Sequence, residues 1–212
     1  MSCPICEKRN TSRFCPARGE SICAVCCGTE REVTIDCPSD CPYLIRARQS
    51  DEAHSKPLSQ KELPFPDVRI PAGLLEIQQQ LVTNLAVSLL AFSRQHHALH
   101  DPDVAVALGA LGETYRTLDS GLYYEKPPEG GPARALYGHL AESLAGLKKQ
   151  VSERGGLAPI KDGDVYYVLV FLARLLRLRT GGRPKSRAFL DYLGAQFPQD
   201  AAMPEAPRII MP

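Results

Sequence analysis

All eight cysteines of this 212-residue chain lie within its first 41 residues. They are Cys3, Cys6, Cys15, Cys23, Cys26, Cys27, Cys37 and Cys41. No apolar run that would form a core lies among them, so this segment cannot fold by hydrophobic burial alone. Segments of this kind gain stability from a structural metal, and thiolates are preferred ligands of zinc. We therefore predict that zinc organises the start of the chain.

Two pairs of these cysteines have the spacing of zinc knuckles. Cys3 and Cys6 form one Cys-x-x-Cys pair, and Cys23 and Cys26 form another. This spacing lets two thiolates approach one tetrahedral ion at Zn–S distances of about 2.3 Å without backbone strain. Because eight thiolates divide into two sets of four, the cysteines predict two Zn²⁺ ions in closed sites of the structural kind.

The order of the cysteines resembles the B-box zinc finger, a relative of the RING module in which alternate pairs of ligands bind alternate ions in a cross-brace. The stretch FCPARGESICAVC, residues 14–26, is similar to the middle of a B-box of the tripartite-motif family. The shared features are the phenylalanine before one ligand and the apolar residues around the second knuckle. The resemblance covers about a fifth of the chain.

The resemblance also implies how the ligands divide. The first zinc site would consist of Cys3, Cys6, Cys23 and Cys26. A B-box has an Asp or Cys three residues after the position of Cys15, but this chain has Arg18 there, and a guanidinium cannot bind a cation. We assign the fourth ligand of the second site to Cys27, the thiol left over. An exchange of Cys26 and Cys27 between the two sites remains an alternative. The second zinc site would then consist of Cys15, Cys27, Cys37 and Cys41.

Other cysteine chemistry has less support in the sequence. The start of the chain has no positive segment followed by an apolar run, so we expect neither secretion nor the disulfides that follow from it. The tight Cys-x-x-Cys-x-x-Cys run that is common at iron–sulfur clusters is absent. No histidine, a common partner base of a reactive thiol, lies within the first fifty residues. A redox-responsive zinc–thiolate switch is kept as an alternative.

The composition is that of an ordinary soluble protein, and we expect it to reside in the cytoplasm. Hydrophobic residues make up 44% and charged residues 23% of the chain, and no apolar stretch approaches the roughly 20 residues that span a bilayer. Each Cys₄–zinc site adds a formal charge of −2, so two sites move the net charge from +1 to −3. Because the finger itself becomes acidic, it is predicted to bind phosphate groups poorly.

Beyond the finger, the sequence predicts helices. We divide the whole chain into a finger at 1–49, a proline-containing linker at 50–72, a helical bundle at 73–197 and a disordered tail at 198–212. Apolar residues that recur every three or four positions predict five helices. They are expected at residues 73–99, 101 to about 119, about 132 to 154, from near 162 onward, and 184–196. The fold class is therefore mainly α, a two-zinc finger followed by a bundle of four to five helices. Within the linker, apolar residues alternate and indicate packing on a neighbouring surface, whereas Leu122, Tyr123 and Tyr124 are expected to pack on the bundle.

The sequence favours an interaction function. No nucleophile elbow, P-loop or dinucleotide fingerprint is present, so we expect no enzymatic activity. A basic segment near the end of the bundle, in which residues 182–185 resemble the core of an AT-hook, suggests contact with phosphate or an acidic partner. Its members are Arg174, Arg177, Arg179, Arg183, Lys185 and Arg187.

We therefore predict a zinc-binding adaptor that binds a protein partner or a second copy of itself. Nucleic-acid binding through the basic segment is the less favoured alternative, and no membrane contact is expected.

Overall fold

The computed structural model describes residues 1–154 and 159–197. As predicted, the chain is mainly helical, with one two-stranded sheet in these ranges. The sheet lies in the finger, where strands β1 (Arg13–Cys15) and β2 (Glu20–Ile22) pair antiparallel with Cys15 opposite Glu20. Gly19 has a φ of +68° in the connecting turn, a backbone conformation that costs glycine little. Helix α1 (Ala24–Glu30) follows directly after the hairpin.

Helix α2 (Pro42–His54) leads out of the finger. Cys41 is its N-cap and Pro42 its first residue, a position where the missing N–H of proline costs no helical hydrogen bond. Leu44, on the first turn, is buried. The helix continues to His54, past the boundary predicted at residue 49.

Five helices of nine or more residues form the bundle within the described ranges, in agreement with the predicted number. Short helix α3 (Leu74–Ile77) precedes them. They are α4 (Gln79–Gln95), α5 (Asp101–Asp119), α6 (Gly131–Arg154), α7 (Asp162–Arg179) and α8 (Ala188–Gln196). Helix α5 packs most extensively against α7, and α6 packs against both α4 and α5. Fully buried leucines such as Leu89, Leu108 and Leu140 fill the space between them.

The structure corrects several predicted boundaries. The single helix expected over 73–99 is interrupted at Gln78 and ends at Gln95, because the chain then turns so that Leu99 is fully buried. The last helix begins at Ala188 rather than at 184. The prediction that residues 122–124 pack on the bundle is wrong, because their side chains are 59–73% exposed. The predicted tail at 198–212 lies outside the described residues.

The linker lies against the bundle, as its alternating apolar residues indicated. The Phe65 ring packs edge-on against Tyr166, with ring centroids 5.9 Å apart, and also touches Gly112 of α5. Arg174 of α7 donates hydrogen bonds to the carbonyls of Phe65 and Val68 at 2.6 and 2.7 Å. These contacts fix the central part of the linker on α5 and α7.

In the described ranges, none of the helices combines the length and the apolar character needed to cross a bilayer.

Candidate metal centre

The first cysteine cluster, Cys3, Cys6, Cys23 and Cys26, has the geometry of a tetrahedral zinc site. All four sulfur atoms lie within 4.8 Å of one another. The sulfurs of Cys6 and Cys23 are 3.9 Å apart. A tetrahedral ion with Zn–S bonds of about 2.3 Å separates its sulfurs by about 3.8 Å. The four thiols are therefore close enough to hold one zinc ion, and the two predicted knuckles meet as expected.

Local backbone geometry directs these four thiols toward one point. The first knuckle is a turn in which the N–H of Glu7 donates to the carbonyl of Cys3 and the N–H of Cys3 donates to that of Arg9, both at 2.7 Å. The second knuckle opens α1, where Cys23 is the N-cap and Cys26 lies in the first turn. The hairpin of β1 and β2 lies between the knuckles and brings them together.

Backbone N–H groups point at the sulfurs of this cluster. The N–H of Cys23 donates to the Cys3 sulfur at 3.3 Å, and the N–H of Cys26 donates to the Cys23 sulfur at 3.4 Å. Such bonds stabilise thiolates and orient them toward an ion.

Cys6 and Cys26 of the first cluster have pKa values that differ widely from each other. The backbone N–H of Lys8 lowers the pKa of Cys6 to about 6. Burial, and to a smaller extent hydrogen bonds with the neighbouring thiols, raises the pKa of Cys26 to about 12. Four negative charges cannot collect in this space unless a cation compensates them, and a divalent ion that binds all four sulfurs does so directly.

The other four cysteines line one small cavity. Cys15 ends β1, Cys27 lies in α1, Cys37 follows α1 in the chain, and Cys41 caps α2. Burial raises the pKa of Cys37, and the charges of Cys41 and Cys15 contribute to the rise. In the part of the chain that is described, the first cluster is the only group of three or more histidine, cysteine or acidic side chains close enough together to hold a metal ion. The second group therefore shares a cavity without the close sulfur packing of the first.

Adjacent residues of α1 belong to the two different groups. Cys26 is buried in the first cluster, whereas Cys27 lines the second cavity. The guanidinium of Arg13 lies 3.6 Å from the Cys27 sulfur and also stacks over the ring of Tyr43. Arg18 pairs with Glu20 on the surface, away from any metal-binding role.

The basic segment begins with three arginines on α7, of which Arg174 and Arg179 bind other groups of this chain. Arg174 binds the linker carbonyls described above. Arg177 lies near Glu62, whose pKa is lowered mainly by its hydrogen bonds to Ser59 and to a smaller extent by this arginine. Arg179 pairs with Glu52 of α2 at 3.0 Å.

The three basic residues after α7 also bind groups of this chain. Arg183 donates to the carbonyls of Gly28, at 3.3 Å, and of Arg31. Arg187 donates to the carbonyl of His97 at 2.8 Å. The third, Lys185, donates from its ammonium group to a finger carbonyl at 2.7 Å. The predicted phosphate-contacting residues thus join the finger, the linker and the bundle to one another.

Arg48 is a structural residue that sequence reasoning missed. Its guanidinium bridges Glu32 of the finger, at 2.6 Å, and Asp191 of α8, at 2.5 Å. Glu32 is only 5% exposed. No local pattern identifies this role, because Arg48 and Asp191 are 143 residues apart and one basic residue on an exposed helix has no distinguishing feature.

Comparison of the chain with protein-family models, with curated proteins and with solved structures finds no match.

Proposed function

We propose that this protein is a zinc-binding adaptor whose finger and helical bundle present surfaces to a protein partner or to a second copy of the chain. The observation that carries the proposal is the convergence of the sulfurs of Cys3, Cys6, Cys23 and Cys26 within 4.8 Å. A site closed by four thiolates leaves no coordination position for substrate or water, so its ion is structural. The ion shapes a surface and performs no reaction, and we therefore propose no enzymatic activity.

A second zinc ion completes the proposal. It would bind Cys15, Cys27, Cys37 and Cys41, which line one cavity. Ligands of the two ions would then alternate along the chain, as in the cross-brace of the B-box finger that the cysteine order resembles. B-box fingers act in protein interaction and oligomerisation, which supports an adaptor over a catalyst. The eight free thiols favour a reducing compartment, and we propose the cytoplasm.

Apolar side chains on the finger offer contact points for a partner. Phe14 is 59% exposed and Val25 is 48% exposed. Each is carried by an element next to the metal-binding cysteines, β1 or α1, so the same ions that fold the finger would hold these side chains in place. A protein partner would remove them from water, which is the main source of favourable free energy in such association.

The two alternatives have weaker support. Nucleic-acid binding requires basic side chains that are free to meet phosphates, whereas Arg183 and Arg187 bind main-chain carbonyls of this chain. Binding to a duplex that falls steeply between low and moderate salt would revive this alternative. A redox-responsive zinc–thiolate switch has no observation of its own beyond the thiols.

Quantitative affinity capture tests the adaptor function. The bait is the full zinc-loaded chain, compared with a double variant, Phe14→Ala with Val25→Ala, and with Val106→Ala on α5 as the control that removes an equally exposed side chain from the bundle. We expect partner recovery, or self-association measured by light scattering, to fall for the double variant alone, with zinc content unchanged. Identical recovery for all three baits, with no self-association, would contradict the proposal.

A further inference from the structure

The loop between α7 and α8, residues 180–187, connects the finger to the bundle, and we call it the strap. Two of its residues, Arg183 and Lys185, bind the finger. Arg183 donates to the carbonyls of Gly28 and Arg31, and the N–H of Lys185 donates to the carbonyl of Glu32 at 2.8 Å. The Lys185 ammonium reaches the Thr34 carbonyl at 2.7 Å. All four acceptors lie in one short segment of the finger.

The strap recognises the backbone conformation of that segment rather than its side chains, because every acceptor is a main-chain carbonyl. The segment, residues 28–36, forms a tight turn in which the Glu30 carbonyl accepts the N–H groups of Val33, Thr34 and Ile35 at 3.0–3.1 Å. Glu32 has a φ of +55°, which a non-glycine residue adopts only where its surroundings enforce it. The acceptors converge only while this turn is held.

The segment is bounded by two members of the second cysteine group. Cys27 precedes it and Cys37 follows it, and both line the same cavity. An ion that binds both thiolates would fix the two ends of the turn and so reduce the number of conformations open to residues 28–36. Without the ion, the ends are free to separate.

Ser186, the next residue of the strap, binds the bundle. The Ser186 hydroxyl donates to the buried Asp101 carboxylate at 2.8 Å, and the N–H of Asp101 donates to the Ser186 carbonyl at 2.7 Å. The same carboxylate accepts the N–H of Phe189 at 3.1 Å and thereby satisfies an N–H group at the start of α8. Lys185 and Ser186 are neighbours in the chain, so the finger contact and the start of α8 are directly connected.

Arg48 provides a parallel connection between the same parts. Glu32 accepts the Lys185 N–H through its carbonyl and the Arg48 guanidinium through its carboxylate, and Arg48 also binds Asp191 on α8. Loss of the conformation around Glu32 would therefore weaken both connections together. The apolar core of the bundle is separate from that of the finger, so we expect α5 beyond its first turn and α7 before its last turn to stay folded when these connections weaken.

We propose that metal binding by the second cysteine group controls the strap: with the ion bound, residues 28–36 hold the strap against the finger, and loss of the ion releases it. The inference rests on the second zinc site of the proposed function. Release would free Arg183 and Lys185 from the carbonyls that hold them, and would loosen the start of α8 while the rest of the bundle stays folded. The device thus couples metal binding in the finger to the conformation of the bundle surface.

Hydrogen exchange measured by mass spectrometry on the full chain tests this inference. We expect amides of residues 180–187 to exchange roughly tenfold faster or more after zinc is removed by a chelator, with α5 beyond its first turn and α7 before its last turn unchanged. Cys37→Ser is expected to lose one equivalent of zinc and to show the same faster exchange. Arg183→Ala is expected to show it with zinc retained, whereas Arg116→Ala, which removes a surface arginine of α5, serves as the control.

Several results would overturn the inference. Residues 180–187 that stay protected after chelation or in Cys37→Ser would show that the strap does not depend on the ion. An Arg183→Ala variant with the exchange of the wild type would show that its carbonyl contacts do not hold the strap. Faster exchange in every helix would show general unfolding instead of selective release. A freshly purified chain without zinc would refute the proposed function itself, so the two failures are distinguishable.

Discussion

The sulfur of Cys6 lies 3.9 Å from the sulfur of Cys23, although the two residues are seventeen positions apart. This contact closes the β1–β2 hairpin between the two knuckles and brings four thiols to one point. Since like charges at this distance repel one another, the arrangement is stable with thiolates only when a cation binds them. We therefore expect folding of the finger and binding of the metal to be one event.

Replacement of one first-cluster thiol should remove one ion. We expect Cys6→Ser to contain one equivalent of zinc less than the wild type, because serine is a poor zinc ligand. Structural zinc binding contributes about 10–16 kcal/mol at neutral pH in zinc-finger peptides, so the finger should lose most of its stability. Elemental analysis and calorimetry measure the two effects. Arg18→Ala, a surface change in the same finger, should retain all zinc and change the free energy of unfolding by less than about 0.5 kcal/mol. A Cys6→Ser variant with full zinc content would refute the first zinc site.

The bridge made by Arg48 should contribute to stability in a way that a neighbouring arginine does not. We expect Arg48→Ala to lower the free energy of unfolding by about 3 kcal/mol, because it leaves the buried Glu32 carboxylate without its cation. Arg46→Ala, an exposed change on the same helix, should cost less than about 0.5 kcal/mol. Urea denaturation followed by circular dichroism compares them. Equal losses in the two variants would show that the bridge is not a stabilising contact.

Two glycines of α5 form a matched pair that tests how the linker packs. A Cβ at Gly112 would lie 2.9 Å from the Phe65 ring, whereas a Cβ at Gly109 meets nothing within 4 Å. We expect Gly109→Ala to stabilise the protein by up to about 1 kcal/mol through helix propensity. Gly112→Ala should be less stable than Gly109→Ala by about 1–3 kcal/mol, because the ring is displaced. Thermal unfolding measures the difference, and equal stability of the two variants would place Phe65 elsewhere.

Much of this fold follows from short-range sequence patterns. The apolar residues of α5, α6 and α7 repeat at helical spacing and predict these helices, and the resemblance to the B-box implies that the two knuckles share one metal site. Contacts between distant segments were not predictable in this way. Arg183 and Lys185 have the composition of a phosphate-binding segment, yet they bind finger carbonyls about 150 residues away, which no local pattern reveals. The same contacts explain why the last helix begins at Ala188, since residues 183–187 are held in the strap.

The buried Asp101 carboxylate should give stability a specific pH dependence. Burial raises its pKa above the ordinary value of 3.8, although hydrogen bonds from Phe189, Ser186 and Leu190 oppose the rise. The folded state therefore binds the proton more tightly than the unfolded state. The stability that this group contributes is present below pH 3.8 and is lost as the pH rises through the raised pKa.

The variant Asp101→Asn isolates this effect. We expect the free energy of unfolding of the wild type to fall relative to that of Asp101→Asn as the pH increases from about 4 to 7. Urea titrations of both proteins at each pH provide the difference, in which effects of acid on the zinc ligands cancel. A difference that stays constant, or that changes in the opposite direction, would show that the folded state does not raise the pKa of Asp101.

The zinc content of freshly purified, reduced protein tests most directly whether metal replaces a hydrophobic core in the finger. Elemental analysis of the full chain should find two equivalents of zinc per chain, one for each group of four cysteines. Protein that contains fewer than two equivalents of bound metal while residues 1–41 still resist hydrogen exchange would contradict the account.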